Sequence, residues 1–297
     1  MALRPGTTLQ LEYRAPFDFE ALLGFFRGRR LEGIEAIGEG FYARTARIPT
    51  GDGTDALGWV RVEDDPANRA LRVLMSDSLA PVAPQVTERL RSQFDTECDP
   101  HAVHEVIATL DETVPGAAVL GTRLPGAFDG FETAVRAILG QQVSLKAANR
   151  IAGRLVKTFG TPVETPYPEL AFAFPTPAEV RRIHPVEEEL GALGVIKSRS
   201  RSIAEVARLI EEGELDLRPG AAVSEQMDRL LAVKGIGPWT ANYVAMRTLG
   251  FADAFLEADA GVAHALPDLS PKERAVLAKR WSPWRSYAVM SLWNSLG

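Results

Sequence analysis

A single cysteine, Cys98, stands among 297 residues. One thiol cannot close a disulfide within the chain, nor supply the four thiolates of an iron–sulfur cluster. A lone thiol suits a reducing compartment. Cys98 lies in Glu97-Cys98-Asp99-Pro100, and flanking acids raise a thiol's pKa, which argues against an enzyme that accepts alkyl groups on sulfur. Histidine is also scarce. His101 and His104 form a weak pair at helical spacing with no clear third ligand, so no catalytic metal is expected. No apolar run approaches the ~18 residues of a membrane span. Met1 to Phe19 mixes Arg, Glu and Asp into its apolar residues and lacks the apolar centre of a signal peptide. The expectation is a cytoplasmic monomer without a membrane partner. Excess positive charge is missing too. The formal net charge is -6, which argues against gripping nucleic acid by bulk charge.

Hydrophobic residues make up 46% and charged residues 24%, the composition of an ordinary soluble globular protein with two domains or three lobes. Residues 1 to 105 look strand-rich. Thr7 to Tyr13 alternates, and Phe41 to Ile48, Leu57 to Val62 and Leu71 to Met75 are further strand candidates. Helices are predicted at Asp18 to Arg29, with Asp18 as N-cap, and around Pro84 to Phe94. After Val114-Pro115-Gly116 the pattern turns helical. Phe131 to Phe159 reads as one long helix ended by Gly160. Thr176-Pro177-Ala178-Glu179 and Ser270-Pro271-Lys272-Glu273 are capping boxes with Pro at the first helical position, and Ser202 to Glu212 is a further amphipathic helix. Lys272, Arg274, Lys279, Arg280 and Arg285 stand against Glu273 alone. This stretch is a local basic face compatible with short-footprint DNA binding, although such a run is more often a solvated helix face. The fold class is α+β, an N-terminal antiparallel sheet lobe with helices followed by an all-α body.

The sharpest motif is Leu230-Leu231-Ala232-Val233-Lys234-Gly235-Ile236-Gly237-Pro238-Trp239-Thr240-Ala241. An apolar helix end meets Gly-Ile-Gly, and a second helix starts at once with Pro238 in its first turn. The glycines permit a tight turn. Backbone N–H groups at the new helix start then face outward with the helix dipole behind them, an anion site that suits a DNA phosphate. Holding phosphate this way needs little net positive charge. The bland alternative is a plain corner between two helices.

At this point the sequence resembles the helix-hairpin-helix superfamily of DNA glycosylases, and within it the bacterial DNA-3-methyladenine glycosylase II family. The likeness runs through Pro16-Phe17-Asp18-Phe19, Leu23-Gly24-Phe25, Tyr42-Ala43-Arg44, Arg123-Leu124-Pro125-Gly126, Arg136 to Ser144, Phe174-Pro175-Thr176-Pro177, Gly237 to Tyr243 and Trp281 to Ala288. Motifs in this order cover nearly the whole chain. The resemblance implies a two-lobe helix-hairpin-helix body behind the sheet lobe: residues 1–105 as the N-terminal lobe, 106–129 with 252–297 as the lobe carrying the catalytic acid, and 130–251 as the lobe ending in the hairpin. It implies excision of alkylated bases such as 3-methyladenine and 7-methylguanine from double-stranded DNA.

The resemblance places the catalytic aspartate at Asp259, in Phe255-Leu256-Glu257-Ala258-Asp259-Ala260-Gly261. Local sequence alone would make Asp259 a helix N-cap, and the two roles are compatible. Glu257 is the fallback acid and stands where the superfamily often has proline; Asp253 reads as a surface acid. Trp239, Tyr243, Trp293, Phe25 and Gln141 are implied to line the pocket for the flipped base, and Gln142 to be the wedge that fills the gap in the duplex. Trp281, Trp284 and Tyr287 are read as core. Gly235, Ile236, Gly237 and Thr240 form the phosphate-holding hairpin, where backbone carbonyls of Leu231, Val233 and Ile236 could hold a structural Na+ or K+. No other cofactor is expected. Lyase members of the superfamily carry a lysine where this chain has Trp239, and Lys234 precedes the turn, so hydrolysis without strand cleavage is expected. Ala260 and Gly261 stand where relatives carry larger residues, which suggests a wider pocket reaching alkylated pyrimidines or 1-methyladenine. Two rivals stay open: a non-catalytic damage-binding protein and a glycosylase for another lesion.

Overall fold

The computed structural model describes residues 6–296. The chain opens with β1 (Thr7–Glu12), α1 (Phe19–Gly28), β2 (Glu35–Gly38), β3 (Phe41–Pro49), β4 (Asp55–Asp65) and β5 (Ala70–Met75). Among the described residues these strands form an antiparallel sheet in the order β1-β5-β4-β3-β2. The predicted strands are present. β2 is an addition: its four residues are too short to show an alternation, and its place is set by pairing Glu35–Gly38 with Phe41–Arg44. α1 begins where expected, with the Asp18 carboxylate accepting the Ala21 N–H at 2.9 Å.

Helices follow: α2 (Ala83–Phe94), α3 (Pro100–Ile107), α4 (Gly130–Leu139) and α5 (Leu145–Phe159). The single helix expected over Phe131 to Phe159 is in fact α4 and α5. The break shows in the backbone and in a new cap. Gln142 takes a left-handed φ of 53°, which no helix interior accommodates, and the Ser144 hydroxyl caps the new helix by accepting the Ala147 N–H. After a short ribbon, β6 (Thr161–Pro162) with β7 (Phe172–Ala173), come α6 (Pro177–Arg181), α7 (Val186–Ala192), α8 (Lys197–Glu211), α9 (Val223–Ala232), α10 (Pro238–Thr248), α11 (Ala260–Ala265), α12 (Pro271–Leu277) and α13 (Arg285–Asn294). Both expected capping boxes are formed, at α6 and α12. No described helix is long and apolar enough to cross a membrane.

Packing divides differently from the chain order. One core joins the sheet, α2 and α3 to the C-terminal helices through Leu71, Phe94, Phe255 and Trp281. A second gathers α4, α5, α8 and α10 around Ile138, Val206 and Val244. A polar seam ties the sheet lobe to α4. The Arg44 guanidinium pairs with Glu132 at 2.6 Å, while Arg136 bridges Glu132 at 3.0 Å and Glu35 at 3.3 Å. Glu35 also accepts the Tyr42 hydroxyl and the Leu31 N–H. Every carboxylate oxygen in the seam has a donor, the condition under which buried charge is tolerable. Although burial raises it, the pKa of Glu132 sits below the ordinary value because Arg44 and Arg136 face it.

A second, half-buried polar group behaves oppositely. Asp95 accepts the Leu124 N–H and the Tyr287 hydroxyl, both at 2.9 Å. Burial outweighs these donors and pushes its pKa from 3.8 up to about 6. The folded state therefore binds this proton more tightly than the unfolded chain does. Ionisation costs about 3 kcal/mol of stability, a penalty fully present above pH 6 and relieved as the pH falls toward 4. Urea titrations should show the wild type gaining about that much relative to Asp95→Asn between pH 7 and pH 4; parallel stability–pH profiles would disprove it.

Arg44 generates a second expectation. Arg44→Met leaves the Glu132 carboxylate short of a buried donor and should cost about 3 kcal/mol in the same titration, whereas a loss below 1 kcal/mol would mean the seam contributes little.

Candidate active site

α9 and α10 form the hairpin. Gly235 has a φ of 97°, and a Cβ there would stand 2.6 Å from the Ser202 hydroxyl, so glycine is required on two counts. Ser202 on α8 donates to the Lys234 carbonyl at 2.8 Å, and the Gln141 amide donates to the Gly235 carbonyl at 2.9 Å and to the Thr240 hydroxyl at 3.0 Å. Pro238 occupies the first position of α10, and the first ladder bond runs from the Ala241 N–H to the Gly237 carbonyl. The N–H groups of Gly237, Trp239 and Thr240 thus precede the ladder at a helix start where Gly237 and Pro238 are exposed, Trp239 is half-buried and Thr240 is buried. Ile236 is different. Its side chain is in the core and its N–H donates to Val233 at 3.0 Å, so it shapes the turn rather than presenting a donor.

Asp259 sits at the N-terminus of α11. Its Oδ1 accepts the N–H groups of Gly261 at 2.8 Å and Val262 at 3.0 Å, with the Trp293 indole N–H at 2.8 Å. Its Oδ2 accepts the Trp239 indole N–H at 3.0 Å. The N-cap reading holds, and the cap does not consume the carboxylate: with one donor, Oδ2 is the oxygen that keeps open lone pairs. No proline stiffens the preceding loop. Arg274 does so instead, donating to the carbonyls of Glu257 at 3.3 Å and Leu266 at 3.2 Å. Asp253 is tied to Arg285 at 2.7 Å and to the Ser282 hydroxyl at 3.0 Å, and stands apart from the site as a structural acid.

The carboxylate opens onto a cleft of about 1510 Å³. Trp239 and Tyr243 stack with centroids 5.2 Å apart on one face of α10, and Phe25 and Trp293 face each other at 6.3 Å and 21°. Trp239, Tyr243, Phe25, Trp293 and Gln141, named from the sequence, all line this cleft. Trp281 and Tyr287 belong to the core, and Trp284 packs against it. Gln142 is exposed at the rim, next to the exposed side chains of Val143 and Leu145. Gln141 cannot probe a base freely, because its side-chain amide is committed to the hairpin and its backbone carbonyl accepts the Arg199 guanidinium. Gly261 leaves no empty space: a Cβ there would lie 2.7 Å from the Trp293 ring. The missing side chain lets the indole reach Asp259.

Two cationic features depart from expectation. In the stretch from Lys272 to Arg285 the arginines are committed, Arg274 being buried on carbonyls, Arg280 paired with Glu112 at 2.7 Å and Arg285 with Asp253, while Lys272 and Lys279 are exposed. An exposed basic row lies instead on α5, where Lys146, Arg150, Arg154 and Lys157 follow helical spacing from the Gln142 loop outward. Their spacing was readable in sequence, but the assumption of one continuous helix hid where the row starts. Arg29 and Arg247, also lining the cleft, were missed as well. Cys98 is buried, and burial with Asp95 nearby pushes its thiol up to about 11, the direction expected but caused by burial and Asp95 rather than by the flanking Glu97 and Asp99.

Comparison with known proteins agrees with this geometry. Residues 8–129 match the family described as AlkA N-terminal domain, and residues 135–285 match the HhH-GPD superfamily base excision DNA repair protein family. The chain is 33% identical to DNA-3-methyladenine glycosylase 2 of Escherichia coli, covering 97% of each. It is 38% identical to a probable bifunctional transcriptional activator/DNA repair enzyme AlkA of Mycobacterium tuberculosis, covering 97% of this chain and 57% of that protein. In fold it resembles a 3-methyladenine DNA-glycosylase from Archaeoglobus fulgidus, with a TM-score of 0.77 at 22% identity over 96% of this chain and 97% of that one. The chain belongs to the HhH-GPD superfamily of base excision DNA repair proteins, with an AlkA-type domain at its N-terminal end.

Proposed function

We propose that the protein is a monofunctional DNA glycosylase that takes alkylated bases out of double-stranded DNA and hydrolyses their N-glycosidic bond. One observation carries this reading: a carboxylate fixed by four N–H donors, with one oxygen left open, at the wall of an aromatic cleft beside an anion-binding hairpin. In this reading the N–H groups at the start of α10 hold a phosphate of the damaged strand. The row on α5 lies along the backbone beyond it, and Gln142 enters the stack as the target base leaves. The base then lodges among Phe25, Tyr243, Trp239 and Trp293.

Breaking the bond sends its electron pair into the base and leaves positive charge on the sugar ring. Asp259 Oδ2 stabilises that charge or orients the water that adds to C1′. Trp239 fills the place from which a lysine amine would attack the sugar, and Lys234 is exposed on the other side of the turn, so the product is an intact abasic strand. The carbonyls of Leu231, Val233 and Ile236, of which that of Val233 also accepts the Ile236 N–H, are an all-oxygen set of the kind hard cations accept. A Na+ or K+ there would brace the turn without taking part in the chemistry.

Asp259→Asn should lower release of 3-methyladenine and 7-methylguanine from methylated duplex by about 10²- to 10³-fold while retaining binding to an abasic-site duplex. Full release by this variant would remove Asp259 from the chemistry, and tight binding with no release by the wild type would favour a damage-binding protein. Borohydride treatment of the wild type during turnover should trap no covalent protein–DNA adduct; a trapped adduct would mean lyase chemistry.

A further inference from the structure

The chain carries a formal net charge of -6, and many of its exposed arginines are neutralised by a neighbouring acid. Arg14 pairs with Asp99, Arg201 with Glu187, Arg218 with Asp216 and Arg280 with Glu112. α5 is the exception. Its 15 residues include Lys146, Arg150, Arg154 and Lys157 and no acid. The four recur every three or four positions, on the face opposite the buried Ala148, Ala152 and Leu155. All four are exposed, and none forms an ion pair among the described residues.

The elements beside α5 do little to cancel this charge. On one side lies the end of α1, where the Asn149 amide donates to the Gly28 carbonyl at 3.4 Å and where Arg27 and Arg30 are exposed. Glu32 is the carboxylate on that side, its Oε2 3.9 Å from the place a Cβ on Gly153 would take. On the other side is the turn before α8. There the Arg154 guanidinium stands 2.9 Å from the place of a Gly194 Cβ, and the exposed Lys197 opens α8.

The row starts at the site and leads away from it in one direction. Gln141 holds the hairpin, Gln142 stands at the cleft rim, and Lys146 follows in the first turn of α5. From Lys146 to Lys157 the helix axis advances about 16 Å, the length of about five base pairs of duplex. Elsewhere the cleft is lined at its mouth by Asp18, Val119, Glu257 and Leu296, which are acids and apolar side chains. Lys234 adds a single exposed charge at the hairpin itself.

We propose that α5 is a phosphate track for undamaged duplex on one side of the lesion, so that the protein grips DNA lopsidedly. The inference rests on the reading that the hairpin and Gln142 meet DNA, and it says where the rest of the affinity resides. A row of cations displaces counterions from the backbone without reading bases. It therefore acts on intact and damaged duplex alike, and governs how the protein lands on DNA and travels along it.

The test measures binding to duplexes with one abasic site, by wild type and by a variant combining Lys146→Gln, Arg150→Gln, Arg154→Gln and Lys157→Gln. Cutting the duplex back to about two base pairs on one side of the abasic site should weaken wild-type binding about tenfold or more, and the same cut on the other side about twofold or less. The variant should lose this asymmetry, and its plot of log affinity against log salt should be shallower by about 2 to 4. Lys272→Gln with Lys279→Gln, which removes exposed charge on α12, should keep the asymmetry. Equal losses from both cuts in the wild type overturn the proposal, as does a four-site variant with the wild-type salt slope. Lopsided binding by a wild type that excises no base supports the track and overturns the glycosylase reading alone. A wild type that binds no duplex at low salt overturns both.

Discussion

The rest of the site depends on the anchoring of one carboxylate. Asp259 receives two N–H groups from its own helix and one indole N–H from each of two distant elements, α10 and α13. The helix start alone would make an ordinary cap. The indoles convert it into a junction, because each belongs to an aromatic wall whose position is thereby tied to the acid. Trp239 stacks on Tyr243, Tyr243 leans on Trp293, and Trp293 lies against Phe25. Moving any of these rings moves a donor. Gly261 makes the last link possible, since a side chain there would occupy the space the Trp293 ring fills. Its smallness in the sequence suggested a roomier pocket; in three dimensions the partner ring has taken that room.

The sheet lobe reaches the site by the polar seam. Arg44 on β3 and Arg136 on α4 share Glu132, and Arg136 also holds the carbonyl of Arg29. The same guanidinium that joins the lobes therefore positions the residue that loads charge into the cleft. Such a seam is costly to bury and leaves little freedom in how its partners meet, which is what a pocket shared between lobes requires.

Much of this was legible in the sequence, and the parts that were not have identifiable reasons. The capping boxes at Thr176 and Ser270, the cap at Asp18 and the Gly-Ile-Gly turn are local grammar, fixed by residues within one turn of each other. The strands at 41–49 and 55–65 announce themselves by composition. The break at Gly140–Ser144 does not, because Arg199 and the hairpin, some 58 and 94 residues away, hold it open. In the basic stretch after Ser270, the partners of Arg280, Arg285 and Arg274 were hidden for the same reason: Glu112, Asp253 and the carbonyls of the Asp259 loop are remote. Arg29 carried no signal at all, since an arginine after an amphipathic helix is ordinary until Phe25 and Trp293 are seen beneath it.

Trp239 has one further consequence. The peptide N–H that precedes its indole belongs to the start of α10, while the indole itself rests on Asp259. In the proposed reading, grip on the backbone and attack on the sugar would both be set by this single residue. A phosphate seated at the hairpin would then fix which nucleotide stands opposite the acid, independent of its base. Every nucleotide along a strand would be offered at the same distance, and the aromatic chamber alone would decide which of them is kept long enough to be cut.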